Sequence, residues 1–424
     1  IPNPIPNPFP NPRSPERPEM KIVYLHQYFN TPTMHGGTRS YELARRLVGM
    51  GHEVHMVTSD ARPGNKARGW RETNEAGIQV HWLPVPYNNA MSYPERIRAF
   101  SHFAVNSTRR AAQLSGDVFF ATSTPLTIAV PGIFASRWNS RPMVFEVRDL
   151  WPAIPIAVGA LKSRSAIMAA QLLEKAAYAG AAHIIALSPG MKAGVEAAGV
   201  SPEKITVIPN LCDPERFQVP PSAGEAFRQK YPWLQDRPMV LYAGTLGLVN
   251  GVDYLVRVAA DMLKRDPEVR FVIMGQGREE ASLHALAQKL GVKDTNLFFL
   301  PSVPKAQVPA VLSAATMATS LFTDVEGMQD NSANKFFDAL AAGRPLALNY
   351  GGWQAELMDR EAFGLRLPPK DIPAAAGMLA SRLRDPRWLA EAGALAARLG
   401  RERYSADIAA KRLSEVLQRA AARS

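Results

Sequence analysis

The sequence predicts an α/β protein of two doubly wound domains facing each other across a cleft, and three observations carry that expectation. At 424 residues the chain is too long for one core and suggests two domains of ordinary size. Short β-branched and aromatic runs alternate with Ala- and Leu-rich helical stretches, the pattern of βα units on a parallel sheet. The alternation breaks once, at Pro209-Asn210-Leu211-Cys212-Asp213-Pro214 and the following Pro220-Pro221, and then resumes. Ligands of such sheets bind outside the carboxyl ends of the strands, so both domains should turn those ends to the cleft.

The first series of strands is expected near Lys21–Leu25, Glu53–Thr58, Ile78–Leu83, Asp117–Ala121, Met143–Val147, His183–Leu187 and Lys204–Ile208. The second is expected near Met239–Ala243, Arg270–Met274, Asn296–Leu300, Thr316–Leu321 and Pro345–Asn349. The first domain then spans 20–213 and the second 214–400, with a terminal helix in 401–424 expected to pack back on the first. The Pro-Asn-rich residues 1–19 read as a disordered or artificial leading segment, with Met20 as the natural start.

Hydrophobic residues make up 46% of the chain and charged residues 21%, the balance of a folded globular protein. The single cysteine, Cys212, excludes an intramolecular disulfide and fits a reducing, cytoplasmic compartment. No apolar run approaches the ~18 residues of a membrane-spanning helix. Residues 1–19 have neither the basic start nor the apolar core of a signal peptide. The net charge of +11 is unevenly placed: 20 Lys and Arg face 12 Asp and Glu from Met20 to Asn210, against 27 and 24 from Leu211 onward. A basic first domain favours an anionic partner, either a nucleotide or an anionic membrane. Nucleic acid is set aside, because the basic residues are not interleaved with aromatics or set on a binding motif.

Four stretches could carry chemistry. The first strand leads into His35-Gly36-Gly37 and a helix over Thr38–Leu47, where two glycines let a phosphate approach the open amides of a helix start. A tight strand-to-helix turn explains the glycines equally well. The pattern is not the Gly-x-Gly-x-x-Gly of nicotinamide-dinucleotide enzymes, which counts against a dehydrogenase. After the Met143–Val147 strand, Glu146, Arg148 and Asp149 should reach the cleft mouth. Arg148 would hold a phosphate or carboxylate, and Glu146 or Asp149 a hydroxyl proton, unless they form a structural ion pair. The second domain repeats the glycine turns at Gly244-Thr245 and at Gly275-Gln276-Gly277, again suited to a diphosphate. Finally, Asn331 precedes Lys335 and Asp338, which share a face at a helix start three residues apart. The ammonium would neutralise a diphosphate and the carboxylate would accept ribose hydroxyls; an exposed ion pair is the plainer alternative. No metal-ligand spacing is recognisable.

This last stretch resembles the GT4 family of retaining glycosyltransferases. Asp338-Ala339-Leu340-Ala341-Ala342-Gly343-Arg344-Pro345 is similar to the family's Glu-Ala-Met-Ala-x-Gly-x-Pro segment, with Asp for Glu, and Asp330 falls at its first carboxylate. Val207-Ile208-Pro209-Asn210 with Asp213 resembles the inter-domain segment, and Gly36-Gly37 the phosphate loop. Glu146–Pro152 and Asn334–Asp338 look like signatures of the WbuB-like branch, which serves O-antigen synthesis. The resemblance implies the GT-B fold of two Rossmann-like domains, the first binding the acceptor and the second a UDP-sugar. It further implies transfer of an N-acetylated (deoxy)hexosamine to a lipid-linked or envelope polysaccharide acceptor, with retention and no metal cofactor.

Two departures stand out. The usual Arg and Lys of the second domain's first loop are absent, where Thr245, Leu248 and Asn250 stand instead. The first-domain His near the reacting sugar is also missing, because its segment reads Ala121-Thr122-Ser123-Thr124-Pro125. Lys335 and backbone amides would then carry the phosphate charge. His26, His35 and His102 read as structural histidines near the cleft. A nucleotide-sugar 2-epimerase of the same fold and an inactive sugar-nucleotide-binding scaffold subunit stay open as alternatives. The segment Tyr93–Ala104, with Arg96 and Arg98 and followed by Arg109 and Arg110, alternates basic and apolar residues at helical spacing. It would rest on the inner face of an anionic membrane and present the acceptor, or be an ordinary surface helix.

Overall fold

The computed structural model describes residues 19–61, 69–86, 91, 93–123, 125–157, 159, 161–325 and 327–422. The leading segment expected to be disordered lies, up to residue 18, outside them. The first sheet contains β1 (Lys21–Leu25), β2 (Glu53–Asp60), β3 (Arg71–Glu75), β4 (Ile78–Pro84), β5 (Val118–Thr122), β6 (Met143–Val147), β7 (His183–Ala186) and β8 (Ile205–Val207). Their order is β3-β4-β2-β1-β5-β6-β7-β8. All neighbours are parallel except β3 and β4. The second sheet contains β9 (Met239–Ala243), β10 (Arg270–Met274), β11 (Leu297–Leu300), β12 (Met317–Ser320), β13 (Leu346–Leu348) and β14 (Gly364–Arg366). It is wholly parallel, in the order β11-β10-β9-β12-β13-β14. These are the two Rossmann-like domains the sequence predicts.

The expected strands all form, and two strands come in addition. β3 has the sequence RETNE, with no apolar residue to reveal it. It is held as an edge by antiparallel pairing to β4 across a turn whose Ala76 and Gly77 both have positive φ. β14 is only three residues long, and a side chain on its Gly364 would strike the Leu346 carbonyl of β13.

Side chains alternate across each strand, so each sheet buries both faces. One face of the first sheet packs Val23, Phe119 and Phe145 against the helices Tyr93–Leu114, Ala129–Trp138 and Arg164–Gly180. The other packs Ile22, Tyr24 and Phe120 against the helix Arg39–Gly49 and, from the far end of the chain, the helix Ala406–Ala421. That last helix buries Leu413, Val416 and Leu417, and Arg46 reaches Asp407 at 2.5 Å. The chain therefore crosses between domains twice, and the crossings are bonded: Cys212 N–H donates to Tyr404 O (2.7 Å) and Ala406 N–H to Cys212 O (2.8 Å).

Removing buried methyl groups from this helix should destabilise the protein although it comes last in the sequence. Leu413→Ala and Leu417→Ala should each cost about 2–5 kcal/mol, read as a lower urea midpoint at unchanged slope. An unaffected midpoint would show that the helix does not complete the first domain's core.

Candidate active site

The loops at the carboxyl ends of β1, β9, β10 and β11 converge on a cavity of about 340 Å³ between the domains. His35, Gly36 and Gly37 form its first-domain edge. Gly36 has φ +112°, a conformation that side chains disfavour. A Cβ on Gly37 would sit 3.2 Å from Asn334 Nδ2. Two helices begin here, Arg39–Gly49 and Asn334–Ala341, and neither has a side-chain cap on its first turn. The two starts meet where Gly37 and Asn334 line the cavity, so the positive ends of two helices lie beside it.

The second domain supplies two ammonium groups. Lys335 crosses Gly244, where a Cβ would collide with its Cε, and its Nζ lies 4.9 Å over the Tyr242 ring. Burial lowers its pKa to about 8; Asp338 opposes that shift and Lys305 adds to it. Lys305, in the turn after β11, places Nζ 2.7 and 2.5 Å from the two oxygens of Asp338. The carboxylate on which ribose recognition was expected thus pairs with Lys305 and not with Lys335. Lys305, which was not among the expected site residues, lines the pocket as a second basic residue beside Lys335. Its only sequence signal was a position a few residues beyond a strand's carboxyl end.

The site also stitches the domains together. Lys305 N–H donates to Met34 O (3.1 Å) and Ala306 N–H to Pro32 O (3.0 Å), while Ser302 Oγ and His35 Nδ1 lie 3.2 Å apart. At the crossing, Asn210 N–H donates to Ser332 Oγ (3.1 Å).

The other expected site residues divide. Gly244, Thr245 and Gly275 line the cavity, but Gly277 and Asn331 are not among its lining residues. Gly277 instead lets its loop approach the Leu246 carbonyl, where a Cβ would clash. Asn331 lies near Trp353, whose Nε1–H donates to its carbonyl (3.0 Å). Asp330 packs on Gly190 of the first domain, and Ser188 Oγ donates to its carbonyl.

Glu146 requires a larger correction. It is wholly buried, accepts from Arg39 Nη2 (2.7 Å) and Thr122 Oγ1 (2.5 Å), and is not among the residues lining the cavity. Burial pushes its pKa up, but Arg39 and Arg148 prevail and hold it below the ordinary carboxylate value. Arg39 also donates to Ile208 O (2.9 Å) and Pro209 O (2.5 Å). Glu146 is thus a positioning residue. Arg148 and Asp149 stand beyond β6, outside the cavity lining, and Arg148 Nη1 is 3.3 Å from His26 Nε2. Buried His26 has a pKa pushed well down by burial and then by Arg148, so it is neutral. His102 lies exposed on the helix Tyr93–Leu114.

The arginines expected at a membrane are not alike either. Arg110 bonds His81 Nδ1 (2.8 Å) and Glu72, which ties it to the β3–β4 edge. Half-buried Arg96 donates to Met91 O (3.1 Å). Only Arg98 and Arg109 are exposed.

Residues 36–211 match the family described as glycosyl transferase 4-like domain, and residues 224–402 match glycosyl transferases group 1. The chain belongs to the GT4-type glycosyltransferases. It is accordingly a glycosyltransferase that uses a nucleotide sugar. It is 26% identical over 309 residues to glycosyl transferase WcaI of Escherichia coli (strain K12), named for colanic acid biosynthesis, covering 69% of this chain and 74% of that protein. It is 25% identical over 400 residues to a GDP-mannose-dependent alpha-(1-6)-phosphatidylinositol monomannoside mannosyltransferase of Mycolicibacterium smegmatis, covering 91% of this chain and 96% of that one. Among solved structures, Anabaena HepE in complex with UDP-glucose superposes with a TM-score of 0.70 at 18% identity, over 95% of this chain and 100% of that one.

The assignment of Glu146 has a direct test. Glu146→Gln leaves Arg39 charged and buried without its partner, which should cost about 3–5 kcal/mol of stability. Urea unfolding measures that loss; a protein as stable as wild type but inactive would restore Glu146 to the chemistry.

Proposed function

We propose that the cavity holds the diphosphate of a UDP-sugar, and that the protein transfers the sugar with retention to a lipid-linked or envelope polysaccharide acceptor. The observation that carries this reading is the convergence of two ammonium groups, Lys305 and Lys335, and two uncapped helix starts on one space. Charge on the departing diphosphate would be stabilised by groups already in place, which is the main source of catalysis in such transfers. In this reading no metal is needed, because the lysines supply the positive charge. Asp338 accepts the ribose hydroxyls, and Lys305 divides its protons between Asp338 and phosphate. Arg148 and Asp149, at the first domain's edge of the cleft, attend the reacting sugar or the acceptor hydroxyl.

An N-acetylated (deoxy)hexosamine is the sugar we favour, from the WbuB-like form of residues 146–152 and 334–338. Uridine is favoured by the UDP-glucose complex of HepE, whereas the mycobacterial relative is named for GDP-mannose. Among the described residues no helix is long and apolar enough to cross a membrane. We place the enzyme in the cytoplasm, at the membrane's inner face.

A screen of UDP-, GDP- and ADP-sugars should raise the melting temperature with a UDP-sugar. No shift with any of them would overturn the donor reading, whereas a shift without sugar transfer would favour the inactive, sugar-nucleotide-binding scaffold subunit. Lys335→Ala should lower kcat/KM about 10- to 100-fold, the worth of a charged hydrogen bond. Affinity for UDP should fall as pH rises through about 8, where free Lys335 loses its proton. Lys335→Arg should abolish that dependence, and an unchanged pH profile in that variant would remove Lys335 from the phosphate.

A further inference from the structure

Nine large hydrophobic side chains are exposed among the described residues, and six of them lie on three neighbouring helices. Phe134 and Trp138 stand on Ala129–Trp138, Met168 and Leu172 on Arg164–Gly180, and Ile97 and Val105 on Tyr93–Leu114. Trp138 is 82% exposed, and Phe134, Met168 and Leu172 are each above 60%. The middle helix packs on both others, and all three cover the same face of the first sheet. A soluble surface rarely gathers apolar groups in this way without a partner.

The charges around them are almost all of one sign. Arg137, Arg141, Lys162, Arg164 and Lys175 are exposed here, with Arg98 and Arg109 on the adjoining helix. On these helices the only exposed carboxylate is Glu95; Glu174 is half-buried and accepts from Tyr178 Oη at 3.1 Å. An aromatic and aliphatic patch set among cations suits one kind of surface, the interface of a bilayer carrying anionic phospholipid. A second copy of the chain fits poorly, since a two-fold contact would set these cations against each other.

We propose that the outer face of the helices Ala129–Trp138 and Arg164–Gly180 seats the first domain on an anionic bilayer, with Phe134, Trp138, Met168 and Leu172 entering the interface. The contact thus moves away from the four arginines expected at a membrane, of which the fold engages Arg96 and Arg110. The helix at Arg164 begins shortly after the Arg148–Pro152 loop at the end of β6, so its Met168 end lies on the cleft side of the domain. An acceptor anchored in the bilayer would then enter the cleft beside Arg148 without passing around the domain. Only that purpose rests on the proposed lipid-linked acceptor; the contact itself does not.

Flotation of the full chain with phosphatidylcholine vesicles, with and without phosphatidylglycerol, provides the test. Binding should require phosphatidylglycerol and weaken with salt. Phe134→Ala with Trp138→Ala should reduce it at least about tenfold, as should Arg137→Glu with Arg141→Glu. Leu290→Ala with Met378→Ala, exposed apolar residues of the second domain, should leave it unchanged. Because the substituted side chains are exposed, each variant should melt as wild type and keep its donor-induced stabilisation, which separates failure here from failure of the donor reading. Binding to neutral vesicles alone, undiminished binding by the first two variants, or a wild-type dimer that Phe134→Ala with Trp138→Ala makes monomeric would each overturn the proposal.

Discussion

One guanidinium, that of Arg39, joins three parts of the chain that are remote in sequence. It begins the helix that follows the glycine loop, binds Glu146 within β6, and holds the carbonyls of Ile208 and Pro209 where the chain leaves the first domain. A buried ion pair is retained at low cost only when its remaining hydrogen-bonding capacity is met. Here the second Glu146 oxygen takes Thr122, and Arg39 spends its other protons on the crossing. The cavity's first-domain edge and the crossing between the domains are thereby fixed to the same strand. The backbone bonds from Lys305 and Ala306 to residues 32–34 complete that frame from the other side.

Most of the architecture was legible because each buried strand of a parallel sheet is a short apolar run between helical stretches. β1, β6, β9 and β10 occupy the residues expected of them. The exceptions have a common cause. β3 is polar throughout, and β14 is a three-residue edge; both exist through pairing with a neighbour and not through a pattern of their own. Tertiary pairing of that kind leaves no periodicity to read.

The candidate site was legible where it is local and hidden where it is not. Gly36, Gly37, Gly244 and Lys335 follow from strand-to-helix turns, and they line one cavity. Glu146 was misjudged because its partner Arg39 lies 107 positions away, and Lys305 was overlooked because Asp338 lies 33 positions on. A charge beside a strand end reveals that it needs a counter-charge, but not which one the fold delivers. The glycines teach a related lesson: Gly275 and Gly277 both admit the close approach of the Gly244–Leu246 loop, but only Gly275 also lines the cavity.

The return of the helix Ala406–Ala421 to the first sheet has a consequence for how the protein is made. Tyr24 and Phe120 lose one of their covers until that helix emerges from the ribosome, after the entire second domain has been synthesised. The first domain to be translated is therefore the last to be finished. Nascent chains at this stage carry an open apolar sheet face, the kind of surface that chaperones shield. Splitting the gene between the domains would leave that face bare in the amino-terminal half.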